Sequence, residues 1–143
     1  MDEKNLKKYF ADLNTVLYNI LNFHWNVTGG LFITLHRLYQ EQYEFLFDSI
    51  DQLAEIFKAK GIYPLTCLRE IYDLADIKTM ESKDYTARET IESEIEQFEL
   101  LNKKSISLAD AANEEGDLTL VDYFTDQSNF FNKQLYFLRQ FIK

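Results

Sequence analysis

One proline, four glycines and a single cysteine are all that this 143-residue chain offers as breaks or staples. With so few helix breakers, long helices become the default expectation. The lone thiol, Cys67, has no partner for an internal disulfide, which fits a reducing compartment. No apolar run approaches the roughly 20 residues needed to cross a bilayer. The opening MDEKNLKKYF carries no apolar signal segment, so the expected location is cytoplasmic. Without such a segment, the Asn26-Val27-Thr28 glycosylation triplet reads as chance. Positive charge is scarce as well: 15 Lys and Arg against 24 Asp and Glu leave a formal net charge of −9. No Lys/Arg cluster stands apart from that balance, which disfavours nucleic acid and favours cations as partners. Histidine is scarcer still, with only His24 and His36.

What is present is apolar and aromatic. Hydrophobic residues make up 46% of the chain, with 12 Phe and 9 Tyr, a composition that excludes disorder. The length suits a single domain spanning residues 1–143 with one substantial core. Leu6, Phe10, Leu13, Leu17, Ile20 and His24 recur every three or four residues and predict a first helix over roughly residues 3–27. Thr28-Gly29-Gly30 interrupts it. Leu35, Leu38, Gln42, Leu46, Ser49, Leu53 and Phe57 then mark a second helix over roughly 31–60, closed by Gly61 with Pro64 just beyond. The segment Leu65–Ile77 places Leu68, Ile71, Tyr72 and Ala75 at helical spacing and reads as a short helix in a long crossover. After a polar stretch from Lys78 to Thr86, a third long helix carries Ile91, Ile95, Phe98, Leu101 and Leu108. Asp117 follows Gly116 as the expected N-cap of a fourth, marked by Val121, Phe124, Phe131, Leu135, Leu138 and Ile142. The expected fold class is all-α: a ferritin-like four-helix bundle with a short helix in the crossover between the second and third long helices.

The scarcity of histidine narrows the chemistry. A haemerythrin-like centre needs several histidines. A di-iron centre within one bundle uses Glu-x-x-His pairs, and no Glu precedes either histidine by three residues. A second stripe nevertheless runs down the second helix beside the core stripe: His36, Gln40, Tyr43, Phe47, Asp51 and Glu55. Asp51 and Glu55 lie one turn apart and supply the hard oxygen ligands that iron accepts together with imidazole. His36 cannot join them within one chain, because 15 residues at about 1.5 Å each put Asp51 roughly 22 Å away along the helix. Two copies packed antiparallel about a two-fold axis near Tyr43 and Glu44 remove that obstacle. His36 of one copy then falls opposite Asp51 of the other, and the axis generates a second, identical site.

The run Asn22-Phe23-His24-Trp25-Asn26-Val27, followed by Gly29, Phe32, Leu35-His36, Asp51 and Ala54-Glu55, closely resembles the Dps family of mini-ferritins. The segment from Pro64 to Ile77 resembles that family's short crossover helix. The resemblance implies a shell of twelve subunits with ferroxidase sites at two-fold interfaces, where His24 and His36 of one subunit and Asp51 and Glu55 of the other hold iron. It implies hydrogen peroxide as the common oxidant, which withdraws both reagents of hydroxyl-radical chemistry. Trp25, Tyr39 and Tyr43 become candidate electron donors near the site, although aromatics in helices also simply pack. Gln40 stands where many members carry an acidic residue, making it a neutral, weaker ligand for a second iron. Ile56 replaces an arginine frequent in the family and removes a salt-bridge partner. By the same analogy Asp117, Asp122 and Asp126 mark an acidic three-fold pore for iron uptake, while acids in a first turn also favour the helix dipole.

Helical periodicity begins by Leu6 and persists to Ile142, leaving Lys4, Lys7 and Lys8 as ordinary exposed charges and no basic tail for DNA. Twelve chains at −9 each give about −108, so direct DNA binding is not expected. Two functional classes remain open. One is an iron-oxidising storage cage. The other is a non-catalytic cage that buffers cations or acts as an interaction or antigen protein.

Overall fold

The computed structural model describes residues 1–143, and side chains cap the N-termini of three of its four long helices. Helix α1 spans Glu3–Asn26 and is capped by Asp2, whose carboxylate accepts from the Lys4 amide at 2.9 Å. Helix α2 spans Phe32–Ala59. It ends in a left-handed Gly61 (φ 78°), with Gly61 N–H donating to Lys58 O and Ile62 N–H to Phe57 O, the paired bonds of a Schellman motif. Helix α3, Leu68–Leu74, is the expected crossover helix. Helix α4 spans Ala87–Glu114, and helix α5 spans Leu118–Phe141 with the expected Asp117 N-cap. The turn between them is another Schellman closure on Gly116 (φ 70°).

Four long helices and one short crossover helix make this a ferritin-like bundle. Helix α1 packs along α2 and α4 along α5, each pair joined by a short turn. The expected stripe on α1 is buried throughout, and on α2 only Leu38 of the expected stripe is partly exposed. Each fully buried Leu or Phe of these stripes contributes about 1.5–3 kcal/mol relative to an exposed one. The outcome differs on α3, where Ile71 and Ala75 pack on Ala11 while Leu68 and Tyr72 face outward, 68% and 52% exposed. A two-turn helix lying on a bundle has only one side to bury, so its spacing overstated the inward set.

Sequence periodicity did not reveal how the crossover is fastened. Val27–Thr28 and Tyr85–Thr86 form two two-residue strands, β1 and β2, paired in parallel and far too short to leave a period. They tie the far end of the crossover to the α1–α2 turn. Thr86 then opens α4 through a capping box with Glu89, a signal legible as Thr-x-x-Glu. Deeper in, Asp12 accepts from the Ile77 amide at 2.9 Å and pairs with Lys104, which also holds Asp76. Burial works against the Lys104 charge, but its bonds to the two aspartates outweigh that and hold its pKa above the ordinary lysine value. One buried carboxylate thus joins α1, the crossover and α4.

Candidate metal centre

The turn Val27–Leu31 folds the end of α1 back beside the start of α2, and that hairpin brings the two histidines together. Their rings stack with centroids 3.7 Å apart and planes 10° from parallel. Phe32 stacks on the outer side of His36 at 5.0 Å, and the ring of Tyr43 stands edgewise to His24 at 5.2 Å. The imidazoles are therefore clamped between two aromatic side chains.

Backbone hydrogen bonds fix their tautomers. His24 Nδ1 lies 2.7 Å from the carbonyl oxygen of His36, and His36 Nδ1 lies 2.7 Å from the carbonyl oxygen of His24. A carbonyl has no proton to give, so each Nδ1 carries the hydrogen and each Nε2 keeps its lone pair. This is the orienting bond that metal-binding histidines commonly make through the nitrogen that does not ligate. Burial lowers the pKa of His24; the bond to the His36 carbonyl opposes this, and repulsion from the His36 ring adds to it. A neutral imidazole is the form that binds metal.

The carboxylates are elsewhere. Asp51 and Glu55 stand exposed on the outer face of α2, and neither takes part in an ion pair. Within one chain no three His, Cys, Asp or Glu side chains gather to hold a metal ion. The expected second stripe does separate from the core: Gln40, Phe47, Asp51 and Glu55 are exposed, and Phe47 leaves 64% of its surface open. Gln40 donates from Nε2 to Glu44 Oε1 at 3.0 Å.

The remaining candidates divide. Trp25 is 64% exposed beside His24, whereas Tyr39 is fully buried and bonds Thr90 Oγ1 at 2.6 Å, turned away from the outer stripe. Tyr43, in contact with His24, is the tyrosine nearest the imidazoles by ring geometry. Asp117 is occupied as the α5 N-cap and in an ion pair with Lys60, whose hydrogen bond holds the Asp117 carboxyl below its ordinary range despite some desolvation. Asp122 and Asp126 are exposed one turn apart on α5. Sequence reasoning missed Phe32 as a clamp and the two carbonyls as orienting groups. The i, i+4 spacing of Phe32 and His36 was a usable signal for the first, but no sequence pattern records the second.

Comparison with known proteins agrees with this architecture. The ferritin-like domain family matches residues 3–143. The "DNA protection during starvation protein" of Helicobacter pylori is 32% identical over 133 residues, covering 93% of this chain and 92% of the relative. A Dps protein from Bacillus brevis superposes with a TM-score of 0.91 at 28% identity, over 97% of this chain and 93% of the other. The CAIP protein of Helicobacter cinaedi gives a TM-score of 0.92 at 27% identity, over 97% of both chains. With a family match that spans nearly every residue and a bundle, crossover and histidine hairpin to accompany it, the chain belongs to the Dps family of ferritin-like proteins.

Proposed function

We propose that this chain is one subunit of a twelve-membered cage that oxidises ferrous iron at sites shared across two-fold axes and stores the ferric product inside. The observation that carries this reading is the reciprocal imidazole–carbonyl bonding, which leaves two metal-ready Nε2 atoms in a hairpin that contains no carboxylate partner. Asp51 and Glu55 of a neighbouring copy supply the oxygen ligands when α2 helices cross antiparallel, with Tyr43 and the exposed Phe47 forming the apolar centre of the contact.

Iron is the substrate here, and hydrogen peroxide the proposed oxidant. Two ferrous ions give one electron each to one peroxide, which takes up two protons and leaves as two waters. His24 and His36 hold iron without adding charge, and Asp51 and Glu55 offset the cation's charge as it rises. Gln40 contributes a neutral oxygen at a weaker second position. Tyr43, edgewise to the His24 ring, and Trp25, the next residue along the chain from His24, serve as electron donors. Asp122 and Asp126 form the acidic lining of a three-fold uptake pore, in which Asp117 has mainly a structural part. Working in the cytoplasm, the cage protects DNA by removing iron and peroxide together rather than by holding DNA, since its formal charge repels phosphate.

The test is formation of a ferric absorbance band after Fe²⁺ and peroxide are mixed with the purified protein. Loss of the rapid phase in both His36→Ala and Asp51→Ala is the expected result. Unchanged kinetics in both variants, or iron binding without any turnover in the parent protein, would refute the assignment.

A further inference from the structure

Three polar atoms in the core lack any hydrogen-bond partner, and they belong to two facing side chains: both carboxyl oxygens of Glu94 on α4 and Oε1 of Gln42 on α2. Glu94 is 1% exposed and Gln42 fully buried. Gln42 spends its Nε2 on Gln134 Oε1 of α5, at 3.0 Å, which leaves its own carbonyl oxygen without a donor. Three oxygens that only accept cannot satisfy one another. Leaving buried acceptors unpaired is costly, and an ionised carboxylate among them costs far more.

We infer that Glu94 carries a proton at neutral pH and donates it to Gln42 Oε1, forming a chain Glu94 → Gln42 → Gln134 that latches α4 to α2 and α5. The proton satisfies two of the three orphan atoms at once and turns the existing Gln42–Gln134 bond into the second link of a directed chain. Losing it forces a rearrangement: Gln42 must rotate its amide to present Nε2 to the carboxylate, and the bond to Gln134 must reverse or break. The latch thus has two states, set by one proton.

Other charges do not oppose this. Burial drives the Glu94 pKa well above the ordinary glutamate value, and the Gln42 contact alone acts in the other direction. From α2 the titratable neighbour is the Tyr39 phenol, raised by its own burial and by Glu94. The contact from α5 is the neutral Gln134, and no lysine, arginine or histidine contributes to the Glu94 shift. Because the folded chain keeps a proton that the unfolded chain releases near pH 4.5, the group's stabilising effect is complete below that pH and is lost as pH rises toward the folded value. The inference is independent of the metal centre, whose ligands lie on the α1–α2 hairpin and the outer face of α2.

Two measurements on the assembled full-length protein, treated with a chelator, decide it. Infrared difference spectra between parent and Glu94→Gln at pH 7 should contain a protonated-carboxyl C=O stretch from the parent. The neutral amide of Glu94→Gln keeps a donor for Gln42, so that variant should melt with the parent near pH 4 and progressively above it from pH 5 to pH 9. A missing carboxyl band, or a melting difference that does not change with pH, overturns the inference. So does a cation that survives chelation in the parent and is absent from the variant.

Discussion

Mixing two inactive variants offers a sharp test of where the metal ligands come from. In His36→Ala the imidazole is lost and Asp51 remains; in Asp51→Ala the reverse holds. Along α2 the two positions are 15 residues apart, about 22 Å at helical rise, so one chain cannot close a site alone. In a dimer containing one chain of each kind, one of the two symmetry-related sites collects both lesions and the other collects none. Random assembly from equal amounts makes half the dimers mixed, and half the sites in those are intact. Cages refolded from a 1:1 mixture should therefore recover about one quarter of the parent's rapid ferric-absorbance amplitude. Each variant refolded alone should stay at background, as should preassembled variant cages simply combined. Amplitude that stays at background in co-refolded cages of normal mass would refute a site shared between subunits.

Acidification should weaken the histidine hairpin. The folded protein resists protonating His24, whereas the unfolded chain takes up that proton near pH 6.5, so stability is complete above that value and falls as pH drops through it. Melting temperatures of the parent and His24→Gln, followed from pH 8 to pH 5, should diverge in slope below pH 6.5; parallel curves would contradict the neutral-imidazole assignment. The Asp12 anchor should matter for stability rather than chemistry. Asp12→Ala leaves the Ile77 amide without its acceptor and Lys104 with Asp76 alone, and should cost about 2 kcal/mol in denaturant unfolding. In a Lys104→Met background the same change should cost measurably less, and equal costs in both backgrounds would show that the pair is not coupled.

The long helices were readable because their causes are local. Apolar spacing, Gly61 and Gly116 after helix ends and Asp117 as an N-cap act within a few residues, so the first two long helices begin and end within one residue of where the pattern put them and the fourth starts at its expected cap. The crossover was less legible. Its fastening depends on Asp12, Lys104 and a two-residue strand pair, contacts between segments some 57 to 92 residues apart that no periodicity encodes. The same applies to Gln42 and Ser49, which sit in the expected apolar stripe as polar residues. Their reason appears only when Gln134 and Gln127 arrive from α5.

Sequence alone determined the helical class, the crossover topology and the separation of two stripes on α2, since these follow from side-chain spacing along one rod. It also determined that His36 and the acidic pair cannot meet in a single chain, because helical rise fixes their separation. Only the tertiary structure decided how the histidines are presented. A hairpin had to stack the two rings, and each backbone carbonyl had to accept a hydrogen bond from the other residue's Nδ1–H, before both Nε2 atoms were left free. That arrangement depends on the closing of one turn in space, which residue spacing does not specify.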